Sequence, residues 1–76
     1  MLHIVYFISF QKENWSLKMA EDWIIQNGFQ TKILKESRNT YRFYQCTDIF
    51  KDYITIGIEE MYPGIMVCFG RMYNNL

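Results

Sequence analysis

An excess of charge of either sign is missing from this chain. Eight Lys and Arg balance eight Asp and Glu, which removes the usual electrostatic basis for a nucleic-acid or membrane binder. Histidine occurs once, at His3, inside a strand-like stretch, so a packed or edge residue is expected there rather than a base or a ligand. Cysteine occurs twice, at Cys46 and Cys68, both in apolar surroundings. A secreted domain this small usually carries more, so buried free thiols in a reducing compartment are expected, with a disulfide between the two as the alternative. No CxxC or Cys/His spacing marks a metal site. The four glycines stand where turns and strand ends need them, and none builds a phosphate-cradling loop.

These shortages also exclude most catalysis. A nucleophilic cysteine needs a nearby base and a setting that favours the thiolate, and a single histidine leaves little room for one. Glu59 and Glu60 are neighbours in an extended stretch and point to opposite faces, which makes them a poor acid/base pair. No catalytic, cofactor-binding or metal-binding set is expected, and the chain reads as a non-enzyme.

Apolar material is plentiful. Half of the 76 residues are hydrophobic, with six Tyr, six Phe, two Trp and five Met. A domain of this length buries only about 60% of the surface its unfolded chain exposes, so part of that material is expected to meet a partner. Tyr6, Tyr44, Met61, Tyr62, Met72 and Tyr73 are the candidates for such a docking surface. The segment 2–10 is apolar but too short to span a bilayer, has no basic residue ahead of it and no small-residue cleavage site after it. A buried first strand is the reading adopted, and no membrane partner is expected.

Periodicity lays out one small α+β domain over 1–76. After the first strand and the polar turn at 11–14, Ser16 suits an N-cap, with Trp15 placed to staple against Ala20. Met19, Ala20, Trp23, Ile24 and Asn27 recur at helical spacing and form the inward face, with Trp23 as its central core residue. Lys18, Glu21, Asp22 and Gln26 point outward. Gly28 is the expected left-handed residue that ends the helix, and Phe29 then covers Ile24. The period changes to two from residue 30: a strand over 30–35 with Ile33 inward, a hairpin loop at Glu36-Ser37-Arg38-Asn39, and a strand over 40–46. In the latter, Tyr41, Phe43 and Gln45 share one face while Arg42 and Tyr44 share the other. A connection at 47–52 with Phe50 as its anchor leads to a half-buried strand over 53–58. Tyr62-Pro63-Gly64 turns the chain into a last apolar strand over 65–69, and a frayed tail at 74–76 closes it. The order is β-α-β-β-β-β, with one helix lying across a mostly antiparallel sheet.

The same residues carry a resemblance. Trp15-Ser16, then Ala20-x-x-Trp23-Ile24-x-x-Asn27-Gly28-Phe29, then Tyr41-Arg42-Phe43-x-Gln45, then Gly64-Ile65-x-Val67-x-x-Gly70 together resemble a small domain of unknown function recurring in large eukaryotic DNA viruses and in tailed-phage proteins. The likeness spans roughly residues 3 to 70. The strand motif there often reads Tyr-Arg-Phe-Arg, and Tyr44 replaces the second Arg here. The resemblance implies a viral origin, a virion-associated or accessory role, and a place in the host-cell cytoplasm or the virion. It implies no activity.

Charge is distributed unevenly. Residues 29–46 hold Lys32, Lys35, Arg38 and Arg42 against Glu36, while 48–60 hold Asp48, Asp52, Glu59 and Glu60 against Lys51. A basic hairpin beside an acidic segment suits a phosphate-facing edge, a self-complementary contact or plain solvated charge. Two functions follow. The first is a protein-interaction or virion-structural module that docks on another protein or on a second copy of itself. The second is a nucleic-acid binder that uses Lys32, Lys35, Arg38 and Arg42, with Tyr44 available for base stacking.

Overall fold

The computed structural model describes residues 2–45 and 53–72, with side chains at 5–45 and 57–70. The elements follow in the order β1 (Leu2–Gln11), α1 (Leu17–Gln26), β2 (Ile33–Glu36), β3 (Thr40–Tyr44), β4 (Tyr53–Tyr62) and β5 (Ile65–Met72). All five strands join one sheet in the spatial order β2-β3-β1-β5-β4, every neighbour antiparallel. This is the α+β architecture expected. Expectations for the His3 side chain, Cys46, the connection at 47–52 with Phe50, the Met72 side chain, Tyr73 and the tail fall outside the described residues.

The helix forms where its caps put it. Ser16 is extended (φ −82°, ψ 164°) and its hydroxyl accepts the Met19 N–H at 3.2 Å, which satisfies one orphan donor of the first turn. At the far end Gly28 takes φ +81°. Its N–H bonds Ile25 O at 3.1 Å and the Phe29 N–H bonds Ile24 O at 3.0 Å, the two reversed bonds of a Schellman ending. Phe29 lies parallel to Trp23, ring centroids 6.4 Å apart, and packs on the core cluster that includes Ile24.

One face of the sheet carries the core. Ile8 and Phe10 of β1, Phe43 of β3, Ile65 and Val67 of β5, and Ala20 and Ile24 of α1 form a single buried cluster. Phe10 sits at its centre with no exposed surface, its ring edge-on to Trp15, Trp23 and Phe43 at centroid distances of 5.3, 5.8 and 5.7 Å. Several expectations are corrected by this arrangement. Trp23 is only partly buried, because Ala20 and Ile24 hold the line of closest approach to the sheet and the larger indole lies beside them. Met19 and Asn27 are exposed rather than inward. The Asn27 side chain instead donates to Trp23 O at 2.8 Å. Trp15 packs against the buried cluster that includes Ala20, seats on Phe10 and donates its Nε1–H to Pro63 O at 3.2 Å, which adds a tertiary anchor.

The second strand starts later than its composition suggests. β2 begins at Ile33, and Leu34 rather than Ile33 faces the helix, since Leu34 pairs with the buried Phe43 and Ile33 with Tyr44. Upstream, the Gln45 side chain substitutes for a strand. Its Oε1 accepts the Gln30 N–H and its Nε2 donates to Gln30 O, both at 2.9 Å. Glu36 belongs to β2, so the hairpin loop shortens to Ser37–Asn39, and β4 and β5 run to Tyr62 and Met72.

Three turns interlock at one end of the sheet. The Lys12 N–H bonds Asn39 O in the β2–β3 loop and the Gln11 N–H bonds Gly64 O in the β4–β5 turn, both at 2.8 Å. Lys12 also pairs with Glu36 and lies over the Tyr41 ring. Gly64 is constrained twice: its φ is +85°, and a Cβ there would stand 2.9 Å from Asn14 Cβ and 3.0 Å from Trp15 Cδ1.

Chemical denaturation checks these assignments. Gly28→Ala is expected to cost about 1 kcal/mol for the left-handed backbone alone, since nothing lies within 4 Å of its added methyl. Gly64→Ala is expected to cost distinctly more. Phe10→Ala should lose about 3–5 kcal/mol and Trp23→Ala less than Phe10→Ala; the reverse ranking would contradict the core described.

Candidate functional site

The face of the sheet away from the helix is built by the alternate residues of the same strands. Strand register places Ile33, Tyr44, Phe7, Cys68 and Ile58 in one row across all five strands. At about 4.8 Å per strand that row is about 19 Å long. The neighbouring row reads Lys35, Arg42, Ser9, Met66 and Glu60. It is basic on β2 and β3, neutral through the middle and acidic on β4. Among the described residues no helix or strand lies over this face.

Its middle is aromatic because Phe7 pairs with Tyr44, and a bulge in β1 adds Tyr6. The β1–β5 register slips between Val5 and Phe7, which inserts Tyr6, and the Tyr6 carbonyl turns to accept the Gln45 N–H at 2.7 Å. A bulge of this kind re-aims side chains and adds twist. Tyr6, Phe7 and Tyr44 form a three-ring cluster with centroids 5.1–5.3 Å apart. The Arg42 guanidinium carbon stands 4.9 Å from the Phe7 ring centre and Lys35 Nζ 5.9 Å from that of Tyr44. Contacts of this type contribute about 0.5–1 kcal/mol each at exposed sites.

Cys68 is a free thiol, 4% exposed, on this same face. Burial pushes its pKa above the ordinary thiol value, and the Arg42 charge pulls it back by less. It is therefore a packed thiol, poorly suited to nucleophilic attack. Two recesses of about 290 and 220 Å³, at Gln11, Lys12, Glu13 and Asn39 and at Glu60, Met61, Tyr62 and Pro63, lie at the turn end of the sheet. Among the described residues no group of three His, Cys, Asp or Glu is placed to hold a metal.

Of the five residues expected to form the surface, Lys35, Arg42 and Tyr44 come together here. Lys32 precedes β2 and Arg38 sits in the β2–β3 loop, at opposite ends of that hairpin; both are exposed. Phe7, Ile33 and Ile58 complete the apolar row and were not part of the expected surface. The acidic Glu59 and Glu60 are on the opposite sheet edge from the basic hairpin rather than beside it, because β1 and β5 insert between them. Met61 and Tyr62 are more than half exposed, as is Ile58 at 60%.

The pH dependence of folding offers a check on Cys68. A raised folded-state pKa means that the native state holds this proton more tightly than the unfolded chain. The resulting stability is complete below the unfolded thiol value of roughly 8.5 and is lost as pH climbs through the higher folded value. Melting followed between about pH 7 and 10 should show a steeper alkaline loss in the parent than in Cys68→Ala; equal slopes would place the thiol in solvent.

Protein-family models, curated proteins and solved structures compared with this chain give no match. Among the described residues no helix is long and apolar enough to cross a membrane.

Proposed function

We propose that this chain is a non-enzymatic protein-interaction module whose working surface is the sheet face opposite α1. The observation that carries this reading is the apolar row from Ile33 to Ile58, which crosses every strand on a face that no described element covers. Three half-buried rings and an Ile exposed by 60% are costly to leave in water, at roughly 25 cal/mol per Å² of apolar surface. A protein partner removes that cost. The resemblance to a domain of large DNA viruses and tailed phages adds a virion-associated setting to the proposal, and the buried free thiol suits the reducing compartment expected.

A second reading has its own observation. Phe7 and Tyr44 stand side by side on adjacent strands with Arg42 and Lys35 against them, the combination of stacking platform and cation that sheet-face binders of single strands use. Zero net charge and the acidic end of the same row count against it.

Affinity capture from expressing cells with quantitative mass spectrometry separates the two. Ile58→Asp is expected to strip the captured proteins, whereas Ile25→Asp, on an exposed helix position, keeps them. Identical protein sets on both variants would overturn the assignment of the face. Nucleic acid released steeply by added salt would favour the second reading.

A further inference from the structure

We infer that the partner of this face is a second copy of the same chain, packed sheet on sheet about a two-fold axis that runs along β1. The inference rests on the reading of the face as a protein-interaction surface and adds the identity of the partner. Its basis is the order of residues in the two rows. Turning the molecule about an axis parallel to the central strand brings the face onto itself and reverses each row end for end, while β1 stays opposite β1. Phe7 then meets Phe7 of the second copy, Tyr44 meets Cys68, and Ile33 meets Ile58, so the apolar row lies wholly on the apolar row. In the neighbouring row Ser9 meets Ser9, Arg42 lies over Met66, and Lys35 lands on Glu60. Twofold symmetry makes that last contact twice.

The geometry of packed sheets accommodates it. Facing sheets stand about 10 Å apart and cross at about 30°. The row ends lie about 10 Å from the axis, so that crossing displaces them by about 5 Å, within reach of a Lys and a Glu side chain extending toward each other. Other pairings of the face with itself fare worse. A two-fold axis normal to the strands but in the plane of the sheet keeps each edge over its own kind, setting Lys35 and Arg42 against the same basic edge and β4 against β4. Like-charge juxtaposition of that kind costs several kcal/mol. The arrangement is isologous and closed, so it ends at a dimer rather than growing into a fibre.

Charge exchange tests the two-fold directly. Light scattering across a concentration series is expected to give the parent chain twice its 9.3 kDa mass at high concentration. Lys35→Glu and Glu60→Lys, each confirmed folded by its melting curve, should each weaken association by roughly tenfold. Mixing the two variants in equal amounts should restore it, because each then supplies the charge that the other lacks at both contacts. A parent that stays at the single-chain mass at every concentration overturns the inference, and so does a mixture no more associated than its separate components. If the parent is monomeric while Ile58→Asp still abolishes capture of another protein, the interaction surface stands and only the second copy as its partner is lost. Tighter binding of a labelled oligothymidylate by Glu60→Lys than by the parent, with no dimer in either, overturns both.

Discussion

One ten-residue helix has to serve a sheet of five strands, and this mismatch governs the molecule. At 1.5 Å per residue α1 is about 15 Å long, enough to cover the middle of one face and nothing of the other. An antiparallel sheet in that position normally alternates, apolar toward the helix and polar toward water. β3 does so in part, with Tyr41 and Phe43 toward the helix and Arg42 between them. β1 and β5 do not. Ile8 and Phe10 lie under the helix, and Phe7 lies on the opposite face. Val67 lies in the core, and Cys68 beside it faces away yet is at least as buried. The two strands next to each other at the centre of the sheet are apolar on both sides.

The covered side is well determined. Phe10 touches three rings and no water, and the three turns at its end of the sheet are bonded to one another through Lys12, Gln11 and Trp15. Because the turns hold each other, the hairpins β2–β3 and β4–β5 cannot splay independently of β1, and the register that builds the core also builds the rows on the far face. A single slip of one residue would exchange the two faces. The far face is thus an obligatory consequence of the core.

Much of this was legible in the chain itself. The cap at Ser16, the left-handed stop at Gly28, the Pro-Gly turn and the alternation from Tyr41 to Gln45 are local signals, each with a local cause, and they fix element type and order. What escaped was set by distance along the chain. Ile33 and Leu34 are equally apolar neighbours, and only pairing with Phe43 decides which of them faces the helix. Trp23 is the largest residue on its stripe, yet the axis of closest approach runs through the smaller Ala20 and Ile24. The bulge at Tyr6 leaves no local mark in the sequence, since it is a shift in the pairing of β1 with β5, a strand far along the chain. Even the far face has a local signal: a strand buried on both sides reads as a mostly apolar run, and the stretch from Leu2 to Phe10, broken by His3 and Ser9 alone, is the basis for expecting a buried first strand.

Net neutrality takes on a different meaning in this light. A surface that steers toward phosphate needs a surplus of one sign, and the total of zero argues against it. A surface that packs against its own copy needs equal amounts of both signs, placed so that a rotation exchanges them. On the far face Lys35 of β2 and Glu60 of β4 satisfy the second condition, because β3, β1 and β5 separate them to opposite edges of one sheet, while Arg42 has the neutral Met66 as its counterpart. Had the two hairpins been adjacent in space, as their order in the chain suggests, Lys35 and Glu60 would neutralise each other within one molecule. It is the insertion of the first strand between the others that keeps Lys35 and Glu60 at opposite edges, with Arg42, Ser9 and Met66 between them and the apolar row alongside.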